Sequence, residues 1–231
     1  MKILLNADLG EGEPAARTRA LMQTIDLANI SCGGHAGNLA SMEFAVESAL
    51  KNNVKIGAHP GIVEPDTFGR HAASISAAAL QILLVSQVSA LTAVATRAGT
   101  KLHHVKLHGA LYHLVESTPL LAAVFLETVC EYFPKLTVIA RMGGEVEKIA
   151  PALGVSVLRE AFADRGYDAY GYLIPRGEPG AMIESVAAAK KQVIQLATVG
   201  IRGLGKPDTI CVHSDSPEAV RIARAAVAAM S

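Results

Sequence analysis

Carboxylates, imidazoles and basic side chains follow one short apolar run after another in this sequence. The segments concerned are 6–11, 29–37, 59–61, 106–109, 160–165 and 213–215. They contribute Asp8, Glu11, His35, His59, Lys106, His108, Glu160, Asp164, Arg165, His213 and Asp215. Carboxylates and imidazoles move protons, and cations beside them stabilise a developing oxyanion. The pattern predicts a polar catalytic site built from these residues.

Two chemistries fit these side chains. In the first, a divalent ion such as Mg or Zn activates water, with Asp8, His35 and His59 as the leading ligand candidates and Glu11 and His213 of suitable type. Because no HExxH element fixes a ligand pair, this remains open. In the second, an Asp or Glu activates water while Lys106 and Arg165 stabilise an oxyanion without a metal. The sequence does not rank the two.

Several other features bear on the site. The segment 171–177 is expected to fold over it, with Arg176 available to an anion, and Tyr112 is expected to reach inward. Cys32 lies near His35, which suggests a nucleophile, but we favour a small buried residue. His71, His103 and His113 are interpreted as structural or surface residues.

Nucleotide-binding motifs are absent from the sequence. It has no GxxxxGK[ST] loop, and the glycine-rich run 200–206 precedes an apolar run instead of following one. We interpret that run as a surface loop.

The elements that position these residues are short apolar runs alternating with helical segments, as in βα units. Predicted strands cover 3–7, 25–31, 54–58, 104–107, 137–140, 156–159 and 209–212. Predicted helices cover 39–52, 76–98, 117–133, 143–153, 181–199 and 217–230. Because charged residues follow six of the strands, a barrel of about seven parallel strands would gather them at one end. An open doubly wound sheet is the alternative. No linker interrupts the pattern, so residues 1–231 are expected to form a single domain.

Composition narrows the function classes. Lys plus Arg and Asp plus Glu both number 21, so no net charge favours nucleic acid or an anionic membrane. The chain has no Trp and three widely spaced cysteines, which indicates a reducing cytoplasm and disfavours a stacking platform for sugars. The first residues leave no room for a signal peptide, and we expect no stretch of 18 apolar residues.

Eight ordered strings resemble the LamB/YcsF family: NADLGEG, ANISCGGHAG, IGAHPG, FGR, HVKLHGALY, EAFADRGY, GYLIPR and DTICVHSD. The match runs through nearly the whole chain. Departures from the family's usual residues fall at Gly34, Leu107, His113 and Ser214, where the family has a bulky residue, Pro, Asn and Gly. These changes affect the shape of the pocket more than its chemistry.

The resemblance implies a distorted (β/α) barrel related to the glycoside hydrolase and deacetylase group. It also implies the A subunit of an ATP-dependent 5-oxoprolinase, which opens 5-oxoproline to glutamate together with subunits B and C. On that hypothesis Lys106, Arg165 and Arg176 contact ATP, phosphoryl oxygens or a carboxylate. Asp8 or Glu160 would act as base, and His59, His108 or His213 would move protons.

Two rival interpretations remain. A metal-dependent amide hydrolase or deacetylase would use the same Asp and His cluster without ATP. A binding protein would hold an anionic small molecule and present it to a partner. The sequence leaves open the metal requirement, the groups that touch ATP and whether the chain forms a homo-oligomer.

Overall fold

Seven parallel strands close into a barrel in the computed structural model, which describes residues 2–64, 68–70 and 74–230. The strands are β1 (Leu4–Leu9), β2 (Leu27–Ser31), β3 (Lys55–His59), β4 (His104–Val105), β5 (Thr137–Arg141), β6 (Val157–Phe162) and β7 (Thr209–His213). They pair in sequence order, and β1 pairs with β7 from Leu4–Thr209 to Asp8–His213. The predicted barrel is therefore confirmed, and the open doubly wound sheet is wrong.

Eight helices surround the barrel in the described part of the chain. They are α1 (Ala15–Met22), α2 (Leu39–Lys51), α3 (Ala77–Arg97), α4 (Gly109–Val115), α5 (Pro119–Tyr132), α6 (Glu145–Leu153), α7 (Val186–Thr198) and α8 (Ala219–Met230). Six correspond to predicted helices. Two were not predicted: α1 buries only three of its residues, and α4 has only seven residues. Neither length nor apolar spacing therefore identifies them in the sequence.

Local capping explains where two helices begin. Asn38 accepts a hydrogen bond from the Ser41 backbone N–H at the start of α2, and the Ser41 side chain accepts one in return. At the start of α3, the Ser76 side chain accepts a single hydrogen bond, from the Ala79 backbone N–H. Such caps satisfy N–H groups that have no partner within the helix.

Strand boundaries differ from the predicted ones where polar residues point into the barrel. β6 extends three residues beyond its predicted end, so Glu160 lies within the strand and pairs with Thr209. β4 keeps only His104 and Val105, so Lys106 follows the strand. The pattern of apolar residues predicts the ends of β4 and β6 incorrectly, because the strand residues that face the barrel interior here are polar.

Apolar residues fill the layer between strands and helices, whereas the interior is lined by hydrogen-bonded polar side chains. Asn6, Asn29 and His104 are fully buried there. The ring of His104 occupies the space that a side chain at Gly57 would need. Gly57 therefore leaves room for an imidazole inside the barrel.

Helix α3 is long and apolar enough to cross a membrane by length and composition, with a mean hydropathy of 1.8 over 18 residues. Gln81, Ser86 and Gln87 interrupt its apolar residues, so the helix is not a run of 18 apolar residues. Leu80, Leu84, Val88 and Leu91 of this helix are buried in the core. Packing of this face on the barrel accounts for much of the apolar character.

Candidate functional site

A cavity opens at the carboxyl ends of the strands, where a barrel of this type places its ligand sites. Seven of the predicted site residues line it: Asp8, His59, Lys106, His108, Arg165, Arg176 and His213. Arg70, Tyr112, His113 and Phe162 complete much of the wall. Four further predicted residues do not line the cavity but contact residues that do: Glu11, His35, Glu160 and Asp164. Asp215 lies farther out and pairs with Arg70.

Lys106 lies at the centre of a buried network at the floor of the cavity. Its Nζ lies 2.9 Å from both Asp8 Oδ1 and Glu160 Oε1, and 3.1 Å from Cys211 Sγ. Three acceptors therefore surround the three ammonium protons. A substrate oxygen would have to replace one of them.

Charge pairing inside this network keeps both partners ionised. Burial alone would raise the pKa of Asp8, but the charges of His59 and Lys106 hold it well below its usual value. Burial would lower the pKa of Lys106, yet Asp8, Cys211 and Glu160 raise it well above its usual value. Lys106 is thus a permanent positive charge beside the cavity, and Asp8 is a weak base.

Amides and a phenol complete the network. Asn29 Nδ2 donates to Asp8 Oδ1 at 2.7 Å, and Asn6 Nδ2 donates to Glu160 Oε1 at 3.0 Å. The Tyr112 hydroxyl donates to Glu160 Oε2 at 3.0 Å, which confirms that this residue reaches inward. The roles of Asn6 and Asn29 were not predicted. Asn6 lies in segment 6–11 and Asn29 in segment 29–37, beside the charged candidates. Their burial marks them as members of the network, and burial cannot be read from the sequence.

Glu11 and three imidazoles form a second cluster, which we call the histidine cluster: Glu11, His35, His59 and His108. Glu11 Oε1 lies 3.0 Å from His35 Nε2, 3.1 Å from His108 Nδ1 and 3.5 Å from His59 Nε2. The rings of His35 and His108 stack at 3.5 Å. Burial would raise the pKa of Glu11, but its contacts with the imidazoles of His108 and His35 lower it strongly.

Backbone contacts position the members of this cluster. The carboxylate of Glu13 accepts the N–H groups of Gly10 and Glu11, at 2.9 and 2.8 Å. Gln87 of α3 holds Gly61 by two hydrogen bonds, one from the Gly61 N–H and one to its carbonyl. Gly61 lies directly against His35 and His108. A side chain at Gly34 would collide with the Gln87 amide, so the small residue at this position accommodates Gln87.

His213 and Asp164 form a carboxylate–imidazole pair on the opposite wall. Asp164 Oδ1 lies 2.8 Å from His213 Nδ1, and Asp164 Oδ2 accepts the His213 backbone N–H at 2.8 Å. Burial would raise the pKa of Asp164, but His213 lowers it. With Nδ1–H donating to the carboxylate, Nε2 of a neutral His213 is left as a proton acceptor.

Three guanidinium groups, which we call the arginine rim, line the mouth: Arg70, Arg165 and Arg176. Arg165 donates to the carbonyls of Ala181 and Ile174. Burial and the charge of Arg176 lower the pKa of Arg165 to about 10. Burial and the charge of Arg70 also lower the pKa of Arg176. This mutual repulsion favours an anion at the mouth.

The remaining candidates differ in their surroundings. Burial raises the pKa of Cys32 to about 12, so its thiol stays protonated, which agrees with a structural role. His113 is exposed, as a surface residue is, and it also lines the cavity. His103 does not line it, and His71 lies outside the described residues. The run 200–206 is a surface turn with an Ile201–Gly205 bridge.

Two groups of side chains in the described part of the chain have the composition of a metal site. One is the histidine cluster. The other is Asp8, Cys211 and His213, where the Lys106 ammonium already lies against Asp8 and Cys211. Burial and the charge of Asp8 also raise the pKa of the Cys211 thiol. A metal is therefore better accommodated by the histidine cluster, which contains His35 and His59 of the predicted ligands but not Asp8.

Comparisons with known proteins extend over nearly the whole chain. A family model described as the LamB/YcsF family matches residues 3–231. The chain is 39% identical over 230 residues to a protein from Erwinia tasmaniensis that is named as the A subunit of 5-oxoprolinase, covering 96% of this chain and 93% of that protein. It is 38% identical over 232 residues to a protein of the same name from Pyrococcus furiosus, covering 96% and 91%.

A solved structure shows the same architecture. The crystal structure of Lactam Utilization Protein from Thermus thermophilus matches with a TM-score of 0.89 and 33% identity. The match covers 99% of this chain and 96% of that one.

Proposed function

Because the chain belongs to the LamB/YcsF family, we propose that it is a hydrolase of a cyclic amide, 5-oxoproline, working as the A subunit of an ATP-dependent assembly. The names of its relatives, the A subunit of 5-oxoprolinase and Lactam Utilization Protein, support the lactam as substrate. A name that specifies one subunit supports an assembly, for which we propose subunits B and C as partners. All three cysteines are free thiols, which is compatible with the cytoplasm as location.

The observation that carries this proposal is one cavity that combines a proton acceptor, a fixed positive charge and an anion site. His213 supplies the acceptor, Lys106 the charge and the arginine rim the anion site. 5-Oxoproline carries a carboxylate, which suits the rim, and an amide carbonyl, whose oxygen becomes negative when water attacks. Preorganised charge at that point stabilises the transition state.

The low reactivity of the lactam gives a chemical reason for the use of ATP. An amide is a poor electrophile, and transfer of a phosphoryl group to its oxygen would activate the carbonyl carbon. Water then attacks that carbon and His213 takes its proton. The ring C–N bond breaks as the nitrogen gains a proton, which leaves an acyl phosphate of glutamate, and a second water releases phosphate and glutamate. Guanidinium groups bind phosphoryl oxygens as well as carboxylates, so the rim fits either anion.

Glutamate release from 5-oxoproline tests the proposal, with the full chain alone and mixed with its candidate partner subunits, each with and without ATP. We expect turnover only in the complete mixture with ATP. Turnover by the chain alone without ATP would favour a metal-dependent amide hydrolase, the second candidate, for which the histidine cluster is the specific observation. Absence of turnover in the complete mixture, with every component folded, would contradict the proposal.

A further inference from the structure

We propose that Glu11, His59 and His108 bind one divalent transition-metal ion, such as zinc, at the wall of the cavity. This inference does not depend on the identity of the substrate. It rests on the positions of hydrogen-bond acceptors that face one another inside the histidine cluster.

Two backbone carbonyls determine which ring nitrogens carry hydrogen. His59 Nδ1 lies 2.8 Å from the Lys106 carbonyl oxygen, and His108 Nε2 lies 2.9 Å from that of Phe68. A carbonyl only accepts, so each of these nitrogens must donate. In the neutral rings, the lone pairs are therefore at His59 Nε2 and His108 Nδ1. Metal-binding histidines are typically oriented in this way by a carbonyl on the other nitrogen.

These two lone pairs and a carboxylate oxygen surround one point. His59 Nε2 and His108 Nδ1 are 3.1 Å apart, and Glu11 Oε1 lies 3.5 and 3.1 Å from them. Three such acceptors repel one another unless a proton or a metal cation lies between them. A tetrahedral zinc with ligands at about 2.1 Å places its ligand atoms about 3.4 Å apart, close to what is observed.

His35 is better placed to orient Glu11 than to bind the ion. Its Nε2 lies 3.0 Å from Glu11 Oε1, whereas its buried Nδ1 has no hydrogen-bond partner among the described residues. Coordination through Nε2 would require a hydrogen on Nδ1 with no acceptor in that part of the structure. Donation from Nε2 to Glu11 leaves only a lone pair at Nδ1, which costs less. His35 is therefore a positioning residue.

Two imidazoles and one carboxylate form the ligand set of catalytic zinc sites that keep one position open. His59 and His108 line the cavity, so the open position would face it. Nitrogen ligands also select transition metals over magnesium. The ion proposed here is consequently distinct from any Mg²⁺ that accompanies ATP.

Metal binding by the full-length chain tests the inference directly. The chain is stripped with a chelator, incubated with Zn²⁺ or Co²⁺, desalted and measured for bound metal, and its affinity is measured by titration. We expect one equivalent in the wild type and an increase in melting temperature with Zn²⁺. We expect Glu11→Gln, His59→Asn and His108→Asn to weaken binding at least about 100-fold, and His35→Asn about 10- to 100-fold.

Matched controls identify the site. His113→Asn removes another imidazole of the cavity wall, and Cys211→Ser alters the competing group; both should retain one equivalent. Glu11→Gln preserves size, so it decides the matter if a histidine variant fails to fold. Substoichiometric metal in the wild type, wild-type affinity in Glu11→Gln, or loss of metal in Cys211→Ser would overturn the inference. Because no turnover is measured, its failure is distinct from failure of the proposed function.

Discussion

At the scale of single residues, His213 is the side chain best placed to take a proton in the cavity. Asp164 fixes its ring by accepting from Nδ1 at 2.8 Å, and Phe162 stacks against it with ring centroids 5.7 Å apart. We expect His213→Gln to lower kcat about 10²- to 10⁴-fold, with a smaller change in KM, because proton transfer is lost while the anion site remains. Steady-state glutamate release in the complete assembly measures this.

Asp164→Asn gives a companion test, since an amide no longer favours hydrogen on His213 Nδ1 and should also lower kcat. His103→Gln serves as the control because His103 does not line the cavity. A kcat within a few-fold of wild type for His213→Gln would assign the base to another group.

The arginine rim is expected to contribute binding more than chemistry. Among the described residues, the Arg176 guanidinium makes one hydrogen bond, to the Met182 sulfur at 3.5 Å, so little holds it away from an anion. Charge-assisted hydrogen bonds contribute about 1.5–3 kcal/mol. We therefore expect Arg176→Gln to raise KM for 5-oxoproline about 10- to 100-fold, with kcat less affected.

Arg202→Gln is the matched control for this test, because Arg202 belongs to the surface turn and not to the cavity. Equal KM values for wild type and Arg176→Gln would exclude Arg176 from substrate binding.

How far single residues could be predicted differs across the site. Residue type and position after a strand brought Asp8, His59, Lys106, His108 and His213 together, because parallel strands end on one side of a barrel. The same reasoning gave Lys106 the role of stabilising an oxyanion, and in the structure Asp8, Glu160 and Cys211 enclose its ammonium. Which acceptors surround the ammonium group depends on packing between strands that are far apart in sequence. The spacing of residues along the chain therefore does not predict these contacts.

At the scale of elements, Glu116 ties the end of α4 to β5 and α6. Its Oε1 accepts the Arg141 backbone N–H at 2.9 Å, and its own carbonyl accepts from Glu145 and Arg141. Burial raises the pKa of Glu116 from 4.5 to about 7. Folding therefore favours the protonated acid, and between these values the unfolded chain loses the proton before the folded one does.

This difference in proton binding makes stability depend on pH. The folded state binds more protons between pH 4.5 and about 7, so the free energy of unfolding falls as pH rises through this window, by about 1.4 kcal/mol per unit. Glu116→Gln keeps an acceptor for Arg141 and does not titrate. We expect the variant to gain up to about 3 kcal/mol relative to wild type between pH 4.5 and 8. Urea unfolding of both proteins across this range measures the difference, and a constant difference would contradict the raised pKa.

Elements were predictable where their burial follows the apolar pattern. All seven strands and six helices were found because short β-branched runs and amphipathic segments alternate. Helices α1 and α4 were missed because one is weakly amphipathic and the other spans only two turns. The end of β6 was missed because Glu160 faces a polar interior, which reverses the usual meaning of a charged residue in a strand.

At the scale of the whole molecule, closure of the barrel makes the two ends of the chain depend on each other. β1 lies between β2 and β7, so residues near Leu4 and Thr209 complete the same sheet. The buried network also joins distant strands, since Lys106 contacts Asp8 of β1 and Glu160 of β6. Unfolding of either half would expose these charges and open the sheet, so neither half retains a complete core.

We therefore expect residues 1–231 to behave as one domain and to unfold in a single transition. Far-UV circular dichroism follows all the helices, and tyrosine fluorescence follows the segment 112–172, including the buried Tyr112. The two signals should give the same midpoint in urea for the metal-free protein, with no plateau between the folded and unfolded baselines. If fluorescence changed at a lower urea concentration than circular dichroism, the part of the chain that contains the tyrosines would unfold by itself. The barrel would then consist of two cooperative units, and the contacts of Lys106 with β1 and β6 would be too weak to couple them.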